Sequence, residues 1–245
     1  MFFNKKAVLL IHGFVGGIYD FGNFQNELQT IRKFDVFTFT LPGHEKMTVK
    51  DVKYNEWIDE GRKQVEFLLS KGYHTIYIVG HSMGGVIAAY LASVYPEVKK
   101  LVLAAPAFRY FAFDDGKLNV KGFNETLKNI PELLKDEGQD KVIERIRKTP
   151  LSTMLEFTNL VNKYQDCLAN VTCSVLTIHG LKDKVVPASA TKLVHDKVAS
   201  RTNILVNIKN VPHDCFIKER NNEVKKLIRD FLVNRNHKEK KFIEM

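Results

Sequence analysis

Thr75-Ile76-Tyr77-Ile78-Val79-Gly80-His81-Ser82-Met83-Gly84-Gly85-Val86-Ile87-Ala88-Ala89-Tyr90-Leu91-Ala92 is the stretch that decides the fold. Its opening residues form a β-branched apolar run of strand length, and the run from Val86 to Ala92 reads as a buried helix. Between them, Gly80-His81-Ser82-Met83-Gly84 has the Gly-x-Ser-x-Gly form of a serine held on a tight strand-to-helix turn. Such a turn is strained, and side chains flanking the serine would collide with the neighbouring strand and helix; Gly80 and Gly84 meet that demand. The N-terminus of the following helix points toward Ser82, which makes Ser82 the candidate nucleophile.

Working outward, short apolar runs at 7–11, 36–40, 75–79, 101–105, 175–178 and 204–208 alternate with helix-length segments. The candidate helices are 21–32, 54–70, 83–95, 188–198 and 218–233. This alternation predicts an α/β fold, a mostly parallel sheet of about six strands with helices on both faces. Trp57, Ile58, Val65, Leu68 and Leu69 recur near a helical period and read as core packing. The alternation breaks between Phe108 and about Lys163, where aromatic residues give way to charged, helix-favouring stretches cut by Gly122, Gly138 and Pro150. Residues 1–107 and 164–245 are therefore expected to form the core and 108–163 a small helical cap insertion.

A chain of 245 residues with 44% hydrophobic content suits one α/β domain with a modest insertion. No run reaches the ~20 apolar residues of a membrane span. The N-terminal apolar run ending at Ile11 lacks the length and cleavage site of a secretory signal. A cytoplasmic protein without stable membrane insertion is the expectation. Cys167, Cys173 and Cys215 are too few and too irregularly spaced for a disulfide framework or a zinc cluster, so they read as reduced thiols, with no metal expected. The formal charge of +9 raises the question of a nucleic-acid or membrane-surface partner. The basic residues are dispersed, however, and only His237-Lys238-Glu239-Lys240-Lys241 is dense, so a solvated basic surface is expected and no nucleic-acid partner. The sequence leaves the oligomeric state open.

A serine hydroxyl is a weak nucleophile at neutral pH and needs a general base, which in turn needs a partner to fix its tautomer and stabilise its cation. Asp183 follows the strand run at 175–178, where the end of a parallel strand delivers a residue into the crevice. His213 follows the last run before the final helix. The tetrahedral oxyanion needs two fixed donors. The Met83 N–H, at the start of a helix, is one, and the Phe14 N–H in the glycine-rich loop His12-Gly13-Phe14-Val15-Gly16-Gly17 is the other.

Taken together, His12-Gly13-Phe14, Gly80-His81-Ser82-Met83-Gly84-Gly85, Asp183 with Val186-Pro187, and His213 resemble the α/β-hydrolase superfamily. The likeness is nearest to small bacterial carboxylesterases and monoacylglycerol-lipase-like enzymes. It runs over nearly the whole chain, including the Pro42-Gly43-His44 turn. The resemblance implies an α/β-hydrolase fold and hydrolysis of small-molecule carboxylic esters, with the cap forming an acyl pocket and without a metal or organic cofactor; the expected reaction is cleavage of short- to medium-chain acyl esters through an acyl-enzyme on Ser82. It also implies Ser82 as nucleophile, Asp183 as orienting acid, His213 as base, and Phe14 and Met83 as oxyanion donors. Many relatives have glycine before the catalytic histidine, whereas here Pro212 stands there and Asp214 follows.

Rival readings stay open at this point. Asp214 competes with Asp183, and His179 and His195 compete with His213. His12 and His81 lie beside donor and nucleophile positions and read as residues that pack and hydrogen-bond, not as bases. Cys215 has no elbow around it. Phe108, Tyr110, Phe111 and Phe113 are either cap core or the lining of a substrate pocket. The same triad serves a thioesterase, acyltransferase, peptidase or carbon-carbon bond hydrolase, and an inert triad would leave a ligand-binding module.

Overall fold

A computed structural model of the chain describes residues 5–45, 49, 52–109, 113–114, 117–118, 145, 148–216, 221–234 and 240–245. Seven parallel strands form one sheet: β1 Lys6–Ile11, β2 Phe34–Thr38, β3 Ile76–His81, β4 Val98–Ala104, β5 Ser174–Gly180, β6 Asn203–Ile208 and β7 Lys240–Glu244, in the order β2-β1-β3-β4-β5-β6-β7. Among the described residues, the α-helices are α1 Phe24–Gln29, α2 Tyr54–Ser70, α3 Met83–Val94, α4 Leu151–Tyr164, α5 Ala188–Lys197 and α6 Asn222–Val233.

Register explains why the strands read as continuous apolar runs. Leu9, Ile78, Leu101 and Val175 stand opposite one another across β1, β3, β4 and β5 and belong to one buried cluster with Trp57, Val65, Ile87 and Leu91 of α2 and α3. One residue further on, Leu10, Val79, Val102 and Leu176 align and join a second cluster with Phe24 and Leu28 of α1 and Val224 and Ile228 of α6. Both faces are covered, so polar alternation is absent from the central strands. All of β3 is buried, which places its C-terminal end, and Ser82 after it, at the middle of the sheet.

Two elements differ from the sequence reading. The seventh strand, β7, lies in the stretch read as a basic tail. Its pairing with β6 sets Phe242 opposite Leu205 at the sheet edge, where Lys241 and Phe242 remain exposed while Ile243 packs on the second cluster. An edge strand with one covered face tolerates this charge, and its composition therefore hides it from a hydrophobicity pattern. The helix expected over 21–32 is present but shorter, as α1, and a 3-10 turn, Ile18–Phe21, precedes it. Gly22, between them, has φ 51°, a conformation that breaks the helix and favours glycine.

Of the region expected to form a cap, α4 is described most fully. Its buried residues Phe157, Leu160 and Val161 join the first cluster. Phe108 is buried in that cluster too. Tyr110 and Phe111 lie outside the described residues, and Phe113 is described only as backbone, paired with Leu118 in a short antiparallel ladder.

Candidate active site

Ser82 is the single residue between β3 and α3. Its backbone has φ 54° and ψ −119°, a conformation that costs a non-glycine residue about 1–3 kcal/mol. The surrounding structure holds it there: the Ser82 N–H donates to the Ala104 carbonyl at 3.0 Å, and its own carbonyl accepts from Gly85 at 2.9 Å and Ala107 at 3.1 Å. A Cβ at position 84 would run into the carbonyl oxygens of Ile11 and His12, so only glycine lets α3 start against the end of β1.

Two loops from neighbouring strands reach the same point. Asp183 closes the turn after β5, its N–H donating to the Gly180 carbonyl at 2.9 Å, and Lys182 ties this turn to the next loop through the Val211 carbonyl at 3.0 Å. His213 lies on that loop. Its Nε2 is 3.0 Å from Ser82 Oγ and its Nδ1 is 2.8 Å from Asp183 Oδ2. The second Asp183 oxygen accepts the N–H groups of Val185 at 2.7 Å and Val186 at 2.9 Å. An ionised carboxylate only accepts, so the His213 proton sits on Nδ1, and the Nε2 lone pair faces the serine hydroxyl. Pro212 does not prevent this approach.

Electrostatics support the same tautomer. Burial works to raise the Asp183 pKa, but the His213 charge and hydrogen bond and the two backbone N–H groups outweigh it and hold the carboxyl below its ordinary value. Burial pulls His213 down, and Asp183, with Asp214 and Asp20 further off, lifts it above the ordinary histidine value. Asp214 does not take the place facing Nδ1.

The loop after β1 lies directly against the serine, since a Cβ on Gly13 would come 3.0 Å from Ser82 Cβ. Among the described residues, neither the Phe14 nor the Met83 N–H has a backbone acceptor. Both belong to segments that border Ser82, and two such donors can receive an oxyanion.

His12 and His195 are engaged elsewhere. His12 Nε2 accepts the Leu41 N–H at 3.0 Å and Nδ1 donates to the Gly13 carbonyl at 2.9 Å; burial and the nearby His44 hold its pKa down at about 3. His195 pairs with Asn203. His179, at the end of β5, is held below its ordinary pKa by burial. Burial raises all three thiols, Cys167 and Cys173 to about 12 and Cys215 well above its ordinary value, so none is an activated nucleophile.

The family model described as serine aminopeptidase, S33 matches residues 4–221. The chain belongs to this family. The S33 chain is 24% identical over 209 residues to the thermostable monoacylglycerol lipase of Bacillus sp. strain H-257, covering 84% of this chain and 82% of that protein. Its fold is similar to that of a solved structure reported with the metagenome-derived lipolytic enzymes LipS and LipT, with TM-score 0.72, 19% identity and 93% of both chains covered. It is similar also to the monoacylglycerol lipase of Paleococcus ferrophilus, with TM-score 0.70, 19% identity and 93% of both chains covered. The α/β-hydrolase fold expected from the elbow is thereby established, and the S33 chain is a hydrolase.

Three residues at this site have partners that the sequence did not name. His81, read as a packing and hydrogen-bonding residue, donates from Nε2 to the His213 carbonyl at 3.0 Å. Phe157 of α4 stacks on Phe14 with ring centroids 5.1 Å apart. Asp20 accepts the Gly17 N–H at 3.2 Å, and its carboxyl is raised to about 7 by burial and by Asp214. Adjacency to Ser82 was the one available signal for His81. Phe157 and Asp20 carry none, because their partners are set by the packing of distant segments.

Proposed function

We propose that this S33-family hydrolase cleaves carboxylic esters of short- to medium-chain acyl groups through an acyl-enzyme on Ser82. The observation that carries the reading is the unbroken line from Ser82 Oγ to His213 at 3.0 Å and on to Asp183 at 2.8 Å. In this reading His213 Nε2 takes the Ser82 proton as Oγ attacks the ester carbonyl. The imidazolium so formed is stabilised by Asp183. The Phe14 and Met83 N–H groups receive the oxyanion, and each such donor contributes about 2.7–4 kcal/mol to the transition state. His213 then protonates the leaving alcohol, and a water activated by the same nitrogen releases the acid.

The names of the relatives support the ester class, since the Bacillus sp. protein is a monoacylglycerol lipase and a Bacillus subtilis protein 23% identical over 207 residues is a carboxylesterase. Residues 108–163 form the cap in this proposal and restrict the acyl group, with the Phe14–Phe157 pair on one side of the chamber and Phe108, Tyr110, Phe111 and Phe113 as further lining candidates. The proposed setting is the cytoplasm, supported by three free thiols. Among the described residues, no helix is long and apolar enough to cross a membrane.

The family description favours a second reading, cleavage of aminoacyl amides by the same triad. One experiment separates them: kcat/KM across a p-nitrophenyl ester chain-length series, acyl-CoA thioesters and aminoacyl amides, on wild type and Ser82→Ala. Ester turnover that vanishes in Ser82→Ala supports the proposal. A preference of about a hundredfold for amides or thioesters, some 2.7 kcal/mol, displaces it.

A further inference from the structure

The loop that carries the Phe14 N–H contains a residue under strain. Val15 is β-branched and buried, and has φ 54°, in the left-handed region that such residues avoid. Relaxation of Val15 to negative φ would rotate the Phe14–Val15 peptide and carry Phe14 with it. What opposes this comes from a distant segment. Arg145 Nη1 donates to the Val15 carbonyl at 3.1 Å and to the Tyr19 hydroxyl, and its guanidinium carbon lies 4.7 Å from the centroid of the Tyr19 ring. Thr149 Oγ1 donates to the Arg145 carbonyl at 2.8 Å, next to Pro150 at the start of α4. Further along α4, Phe157 stacks on Phe14. The stretch from 145 to 157 therefore grips the loop twice, once on the backbone of Val15 and once on the ring of Phe14. Asp20 secures the far end of the loop through the Gly17 N–H.

We propose that Arg145 is a positioning residue for the oxyanion site, holding Val15 in its left-handed conformation so that the Phe14 N–H stays aimed beside Ser82. The proposal rests on the acyl-enzyme reading above. It makes the cap segment part of the catalytic apparatus as well as a wall of the substrate chamber. An oxyanion donor acts on the transition state and little on the ground state, so loss of the grip lowers kcat and leaves KM nearly unchanged.

The test compares wild type with Arg145→Met, which keeps the aliphatic stem without a donor, and Arg145→Lys, which keeps one donor. Steady-state turnover of p-nitrophenyl butyrate, inhibition by an alkyl trifluoromethyl ketone, thermal unfolding and fluorophosphonate labelling are measured on each. The expected result for Arg145→Met is a fall in kcat on the order of 10- to 100-fold, with KM within about twofold and the ketone bound weaker in proportion. Arg145→Lys recovers most of the loss. In a Val15→Gly background, where a left-handed φ costs nothing, the Arg145→Met effect shrinks. Unchanged kcat in Arg145→Met overturns the proposal, as does a rise in KM at constant kcat. A fall in kcat of equal size in the Val15→Gly background also overturns it. Labelling of wild-type Ser82 distinguishes the two levels: an unlabelled wild type overturns the acyl-enzyme reading and this proposal with it, whereas a labelled wild type with an unaffected Arg145→Met overturns the role of Arg145 alone.

Discussion

His81 Nε2 donates a 3.0 Å hydrogen bond to the backbone carbonyl of His213, so the residue before the serine tethers the loop of the residue that faces it. Burial and the neighbouring His213 hold the His81 pKa at about 3, and the ring is therefore neutral wherever the protein is folded and active. Its Nδ1 is buried with no hydrogen-bond partner among the described residues. His81→Phe retains a ring against Phe216 but removes the donor. The freed carbonyl costs about 1–3 kcal/mol, partly offset because the orphaned Nδ1 disappears as well. The larger effect expected is on kcat, a fall on the order of 10²-fold from displacement of His213, with KM little altered. Steady-state kinetics together with urea denaturation check this.

The direction of the His213 shift sets the pH profile. A general base must be unprotonated, so with His213 in the proposed role kcat/KM rises with pH through its pKa and is lost below it. Burial lowers that pKa, but Asp183, together with Asp214 and Asp20, more than offsets it, and the midpoint is expected above the ordinary histidine value of 6.5. Asp183→Asn removes the largest raising influence. The acid limb should then move to lower pH while the plateau falls about 10⁴-fold through loss of the correct tautomer. A limb that stays in place would contradict the assigned pairing.

If Ser82, Asp183 and His213 act as the proposed triad, Ser82→Ala and His213→Ala should each cost about 10⁶-fold in kcat, and the double variant little more, because the members of such a triad act as a unit. Additive losses in this cycle would show that His213 does not activate Ser82.

Asp20 gives a stability prediction of opposite chemical character. Its folded pKa of about 7 lies above its ordinary 3.8, first because of burial and then because of Asp214. A carboxyl raised in this way supports the folded state fully below about pH 4, and that contribution is lost as pH rises through its folded pKa. Asp20→Asn keeps an oxygen for the Gly17 N–H without a charge. It should raise Tm above neutrality and leave it nearly unchanged in acid, as read by thermal scans across pH.

Gly84→Ala tests the elbow itself. The added methyl meets the Ile11 and His12 carbonyls, which belong to β1 and its exit and cannot yield without moving the strand. A loss of at least about 3 kcal/mol, or failure to fold, is expected in chemical denaturation.

Much of this site was legible because the local rules are strong. Gly80, Ser82 and Gly84 declare a turn that nothing larger fits, and Asp183 and His213 each follow an apolar strand run, so their delivery to one end of a parallel sheet is a matter of topology. The strand β7 was not legible, because Lys240 and Lys241 carry the composition of a solvated tail and an edge strand needs only one covered face. The helix expected over 21–32 came out shorter for a related reason: helical propensity does not reveal the left-handed φ at Gly22 that delays its start.

By itself the sequence determined the elbow, the order of Ser82, Asp183 and His213 along the chain, and a sheet covered on both faces, since these follow from periodicity, residue size and chain direction. Only the tertiary structure decided that Asp183 and not Asp214 faces His213, that His81 tethers the His213 loop, and that Arg145 and Phe157 bear on Val15 and Phe14. Hydrogen bonds and ring contacts between segments more than a hundred residues apart in the chain depend on where the folded core brings those segments, and no local pattern encodes that distance.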